Sequence, residues 1–207
     1  MALVKYNNNS ISAVTATGLA SGSLVPIKTL TASSSGTLSF VHGTDGVVLD
    51  STYPIYKFEF INIHPQNDGG GIYFQFNMSI DAGSNYNVTK TSTNFHAYNQ
   101  ESGTYGLEYY AAGDLAQSTS DQIIATGMGN ENDQSVSGEL SLYSPSSTTF
   151  VKHFIARMQT LQFNDTALDS YIAGYGNTTS DVDGIIFRMS SGNIDSGKIK
   201  LYGIKDS

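Results

Sequence analysis

Four histidines, His42, His64, His96 and His153, are the first candidates for chemistry in this chain. None stands in an H-x-H or H-E-x-x-H spacing, so no pair is pre-set on one element as a metal-binding unit. They read as imidazoles satisfied internally or solvated. Serines are abundant, but no G-x-S-x-G elbow presents one as a nucleophile. Asp114, Asp121, Glu131 and Asp133 fall in one long polar segment and are the carboxylates a glycosidase would have to pair, although a solvated loop is the simpler account of them. Asp181-Val182-Asp183-Gly184 and Asn130-Glu131-Asn132-Asp133 have the composition of calcium loops without the twelve-residue ligand spacing that closes on Glu. The residues therefore predict no enzyme, no cofactor and no metal site.

Binding is the better prospect. The chain has 13 tyrosines and no tryptophan. Tyr105, Tyr109, Tyr110, Tyr171 and Tyr175 lie near expected loops, where a ring on a sugar face beside Asn or Asp would make a carbohydrate site. The competing reading packs the same rings at the core edge or between subunits. Two polar loops, Gln66 to Gly71 and Gly127 to Gln134, supply Asn67, Asp68, Asn130, Asn132 and Asp133 as candidate glycan contacts.

The elements that must position these residues are strands. Tyr56, Phe58 and Phe60 recur at period two, as do Ile72, Phe74, Phe76, Met78 and Ile80, and successive side chains of an extended chain face opposite sides of a sheet. His64-Pro65-Gln66-Asn67-Asp68-Gly69-Gly70-Gly71 turns the chain between them. The pattern predicts an antiparallel pair, Ile55 to Ile63 against Ile72 to Ile80. Leu24 to Leu30 carries Pro26 and reads as an edge strand. In Ser92 to Asn99, Phe95, Ala97 and Thr93 are expected to point inward, as are Phe150, Phe154, Ala156 and Met158 in Thr149 to Thr160. Asn164 to Asp169 is expected to hold one helical turn. Ser-Gly steps at Gly36, Gly138 and Gly197 read as hairpin starts at unequal spacing, which excludes a propeller or solenoid. About ten to twelve short strands with frequent turn signals predict an all-β fold, an antiparallel β-sandwich of jelly-roll type. Residues 1–23 read as an extended N-terminal arm, with Leu3, Val4 and Tyr6 as its contacts to an oligomer partner or particle, and 24–207 as a single sandwich domain.

Composition narrows the partners. Ten basic against 18 acidic residues give a formal charge of −8, the wrong sign for tracking a phosphate backbone, so no nucleic-acid partner is expected. No apolar run of about 18 residues implies membrane insertion. The first residues lack the basic start and apolar centre of a secretory leader, which predicts synthesis and accumulation in the cytosol. The absence of cysteine excludes thiolate chemistry and a disulfide scaffold.

Four stretches carry a resemblance. Met1 to Ser12, Val48 to Phe60 with its Asp50-Ser51-Thr52-Tyr53-Pro54 step, Phe150 to Arg157, and Met189 to Ile204 with Ser196-Gly197-Lys198-Ile199-Lys200-Leu201-Tyr202 together resemble virion structural proteins of tailed phages infecting marine bacteria, cyanophages among them. The resemblance implies a virion component made in the bacterial cytoplasm. An arm and one sandwich without fibrous repeat favour a capsid decoration or head-fibre subunit, and the cyclic oligomers usual on symmetric particles favour a homotrimer in contact with other capsid or tail proteins. A tail-fibre module that recognises host surface glycan is the alternative. It carries no catalytic or ligand residue onto this chain.

Overall fold

The structure is a computed structural model and describes residues 23–206. Leu3, Val4 and Tyr6 lie outside the described residues. In chain order come β1 (Leu24–Thr31), β2 (Leu38–Val41), β3 (Ile55–Pro65), β4 (Tyr73–Ser79), β5 (Lys90–Gln100) and β6 (Tyr105–Tyr109). A 3₁₀ turn at Ala111–Gly113 leads to β7 (Gln122–Thr126), β8 (Val136–Tyr143), β9 (Lys152–Leu161), β10 (Thr166–Gly176), β11 (Gly184–Met189) and β12 (Ile194–Ile204).

Two antiparallel sheets pack face to face. The large sheet has the order β1-β12-β3-β8-β9-β10-β5-β6, the small one β2-β11-β4-β7. Setting aside β5, β6, β9 and β10 leaves eight strands paired β1 with β12, β2 with β11, β3 with β8 and β4 with β7. Outermost strands pair first and the series closes inward, which is the double wrapping of a jelly roll. The other four strands enter at two connections, β5–β6 between β4 and β7 and β9–β10 between β8 and β11. They extend the large sheet beyond β8 in the order β9-β10-β5-β6.

The core lies where strands of the two sheets face one another. Phe58 and Phe60 on β3 meet Phe40, Phe74, Phe76 and Phe187 from the small sheet, all buried. Phe187 is in ring contact with each of the other five, at centroid distances of 5.1 to 6.3 Å.

Several local expectations are corrected. β3 and β4 do not form a hairpin: β3 pairs with β12 and β8, and β4 with β11 and β7. Alternation fixes only which face is apolar. Two strands that face each other across a core, about 10 Å apart, carry the same pattern as two that share a ladder. The Phe60–Phe74 contact, 5.4 Å and edge-on, is made across the sandwich. In β5 the phase is inverted, with Lys90, Asn94 and His96 buried and Phe95 41% exposed. Phe150 precedes β9 and is exposed, and residues 166–169 belong to β10 with no helical turn. Gly138 and Gly197 lie inside β8 and β12, not in turns. At Gly197, φ is +116° and a Cβ would come 2.5 Å from the Asn62 carbonyl oxygen, so glycine is required where the β12 register shifts.

The small sheet is narrower than the large one. Its β7 packs on β9 and reaches β10, and the 3₁₀ turn lies against β5 and β7. The inner face of β5 and β6 therefore overhangs the small sheet.

Candidate functional site

The two polar end loops come together. The Gly69 N–H donates to the Met128 carbonyl at 3.1 Å, and Asn130 Nδ2 to the Gln66 carbonyl at 3.1 Å. Asn67 Nδ2 donates to Ser191 Oγ at 3.0 Å. Two of the five candidate contacts thus brace the loops, while Asp68, Asn132 and Asp133 are exposed. The four histidines have separate settings. His42 Nδ1 accepts the Leu49 N–H at 3.1 Å, His64 Nε2 lies 3.1 Å from the Glu131 carbonyl, and His153 lies beside Tyr175. Among the described residues no group of three or more His, Asp or Glu is placed to hold a metal ion. The candidate carboxylates are dispersed as well: Asp121 accepts two bonds from Arg188, at 2.6 and 2.9 Å, and Asp114 accepts the Tyr109 hydroxyl.

Four of the five singled-out tyrosines share one surface, the outer face of the sheet extension. One row across the strands reads Tyr109, Phe95, Tyr171, Arg157, Glu139. Phe95 and Tyr171 stack in parallel at 5.0 Å, and the Arg157 guanidinium lies 4.9 Å from the Tyr171 ring centroid. Arg157 also makes a two-point bond to Asp169, 3.0 and 2.7 Å, which with the Tyr171 hydroxyl holds the Asp169 carboxyl below its usual range. The stacked rings cover one another's faces, so this ladder does not offer Tyr171 as a flat platform for a sugar. Beside it runs an apolar trough of about 810 Å³, floored by Thr93, Ala173 and Ile155 and walled by Tyr143, His153 and Tyr175. At the sheet edge Tyr105 and Leu107 stand 79% and 73% exposed.

Tyr110 belongs to a different place, a cleft of about 240 Å³ under the overhang. The inverted phase of β5 sends His96, Tyr98 and Gln100 into it, β6 adds Glu108, β7 adds Thr126, and Gln162, Asn164 and Thr166 come from the end of β9–β10. His96 is 5% exposed and its Nε2 lies 2.9 Å from Glu108 Oε1. With a carboxylate accepting there, Nε2 carries a proton. The His96 ring is 5.1 Å from Tyr110 and 6.4 Å from Tyr98. A Cβ on Gly106 would come 2.8 Å from the Tyr98 hydroxyl, so a larger residue there displaces the Tyr98 ring. Gln162 Nε2 donates to the Thr126 carbonyl at 3.0 Å, closing the far side.

His96 Nδ1 and Thr166 Oγ1, both on buried residues lining the cleft, have no hydrogen-bond partner among the described residues. The same holds for Asn94 Oδ1, Gln122 Oε1 and Thr160 Oγ1. A buried polar atom left unpaired costs on the order of 1–3 kcal/mol, and native folds leave few. Glu108, Tyr98, Gln162 and Thr166 were not singled out from the sequence. The signal available was the period-two row Lys90, Asn94, His96, Tyr98, which competes with Phe95 and Ala97 for the inward side.

A scan against protein-family models, and searches of curated proteins and of solved structures, found no match to this chain.

Proposed function

We propose that the protein is a structural subunit of the surface of a tailed-phage virion, a capsid decoration or head fibre, which closes into a homotrimer and contacts other virion proteins. The virion part is supported by the four resembling stretches and, by analogy alone, by the jelly roll, an architecture that viral capsid domains share with lectins and cupins. The observation that carries self-association is the contrast between the two edges of the large sheet. β1 is blunted by Pro26 and Lys28, with a register shift between them. β6, Tyr105-Gly106-Leu107-Glu108-Tyr109, has neither proline nor lysine and presents exposed apolar side chains beside a backbone edge that no strand pairs among the described residues. Such an edge is a template for a second chain. The apolar trough on the outer face is a different and concave surface. An edge of one copy seated in the trough of the next is a head-to-tail contact, and head-to-tail contacts that close make rings.

Light scattering of the purified protein is expected to give three times the chain mass, and Leu107→Lys combined with Tyr105→Lys to give the monomer with an unchanged circular dichroism spectrum. A monomeric wild type sinks the self-association reading. Antibody labelling of particles tests the virion reading directly, with signal expected over the head. Signal over the tail would favour the second reading, a receptor-binding module for host surface glycan, which the polar cleft under the overhang supports.

A further inference from the structure

We infer that the cleft under the β5–β6 overhang binds a single neutral sugar residue, a hexose or N-acetylhexosamine at the end of a glycan. This inference is independent of self-association and names the ligand class of the second, glycan-binding reading.

The ligand class follows from the lining. A pyranose presents adjacent hydroxyls, each both donor and acceptor, around a ring with apolar C–H faces. The cleft offers side-chain amides at Gln100, Gln162 and Asn164, the Glu108 carboxylate, and the part-buried rings of Tyr98 and Tyr110. His96 Nδ1 and Thr166 Oγ1, without a partner among the described residues, are enclosed behind this lining, so the ligand's contacts are assigned to the amides, the carboxylate and the rings. Pockets that hold drug-sized ligands measure roughly 300–1,000 Å³, so a volume of about 240 Å³ suits one sugar unit and not a chain of them. An acidic sugar would set its carboxylate beside Glu108 on a chain of net charge −8, which selects a neutral one. Among the described residues that line the cleft, Glu108 is the one carboxylate, whereas glycoside hydrolysis uses a flanking pair. The site is therefore assigned to recognition without turnover.

The test uses the full chain and the methyl glycosides of glucose, galactose, mannose, N-acetylglucosamine and N-acetylgalactosamine, with glucuronic acid and N-acetylneuraminic acid as acidic comparators. Saturation-transfer NMR is expected to show at least one neutral sugar bound, with the His96 ring protons shifting on titration into wild type. Glu108→Gln is expected to weaken that binding about tenfold while leaving the amide spectrum folded, and Lys198→Ala, exposed on β12, to leave it unchanged. The assignment is overturned if none of the five neutral sugars binds, if only the acidic ones do, or if binding leaves the His96 ring unshifted.

Discussion

Replacing Phe187 by alanine lowers the free energy of unfolding by about 4–5 kcal/mol, the upper end of the range for a buried aromatic ring. Phe187 has no exposed surface and sits on β11, between β2 and β4 in the small sheet, with its ring against Phe58 and Phe60 of β3. Its neighbours come from both sheets, so the space left by truncation is walled by two layers that cannot both collapse into it without losing their registers. Urea denaturation is the measurement. With slopes of roughly 1–3 kcal/mol per molar, the midpoint is expected to fall by about 2 M. Ile155→Ala, on the outer face and 53% exposed, is expected to change stability by no more than about 0.5 kcal/mol. A loss below about 2 kcal/mol at Phe187 would mean that the sheets are not packed around that ring.

The second large effect is an alkaline rise in stability set by Lys90. Its side chain is fully buried, and its Nζ donates to Asn77 Oδ1 at 2.6 Å and to the Val88 carbonyl at 2.7 Å. Burial brings its pKa down to about 8, a fall that the Asp121 carboxylate opposes without reversing. In the unfolded chain the ammonium titrates near its ordinary value of about 10.4. Between these two values the unfolded state binds more protons than the folded one, so stability increases with pH. The gain from pH 7 to 9.5 is about 2 kcal/mol. Lys152, whose pKa burial also lowers, adds in the same direction. Above about pH 10 the sign reverses: the buried Tyr56 phenol, raised to about 12 by desolvation, stays protonated in the fold while unfolded phenols ionise. Urea midpoints at pH 7, 8.5 and 9.5 are expected to climb in the wild type and to lose most of that climb in Lys90→Met. A flat wild-type profile would place the ammonium in water.

The same burial shows how far the sequence could be read. The inward rows of β3 and β4 were legible because a wholly apolar interior makes hydrophobicity a direct marker of the inner face, as at Tyr56, Phe58, Phe74 and Phe76. Their partners were not, since alternation carries no information about which strand supplies the ladder. In β5 the marker points the wrong way. The interior beneath the overhang is lined by Asn94, His96, Gln122 and Ser170, and the apolar Phe95 stacks outside on Tyr171. The cleft was illegible for a related reason: its walls come from β5, β6, β7 and the β9–β10 turn, which only the folded topology brings together. The tyrosines were flagged as a group, yet Tyr110 turns under the sheet while Tyr105, Tyr109, Tyr171 and Tyr175 lie above it.

The two inserted hairpins are not equivalent. β9 is hydrogen-bonded to β8 of the eight-strand frame, whereas β5 is held on one side by β10 and on the other by β6 and by the segment 110–118, which bonds to Lys90, Ser92 and Asn94. Within the large sheet β9–β10 joins the frame directly and β5–β6 joins it through β10, and so the extension has a hierarchy of dependence. Its amide protons should exchange with deuterium sequentially from the rim, β6 first, then β5, then β10, while β3 and β12 remain protected until the whole molecule opens.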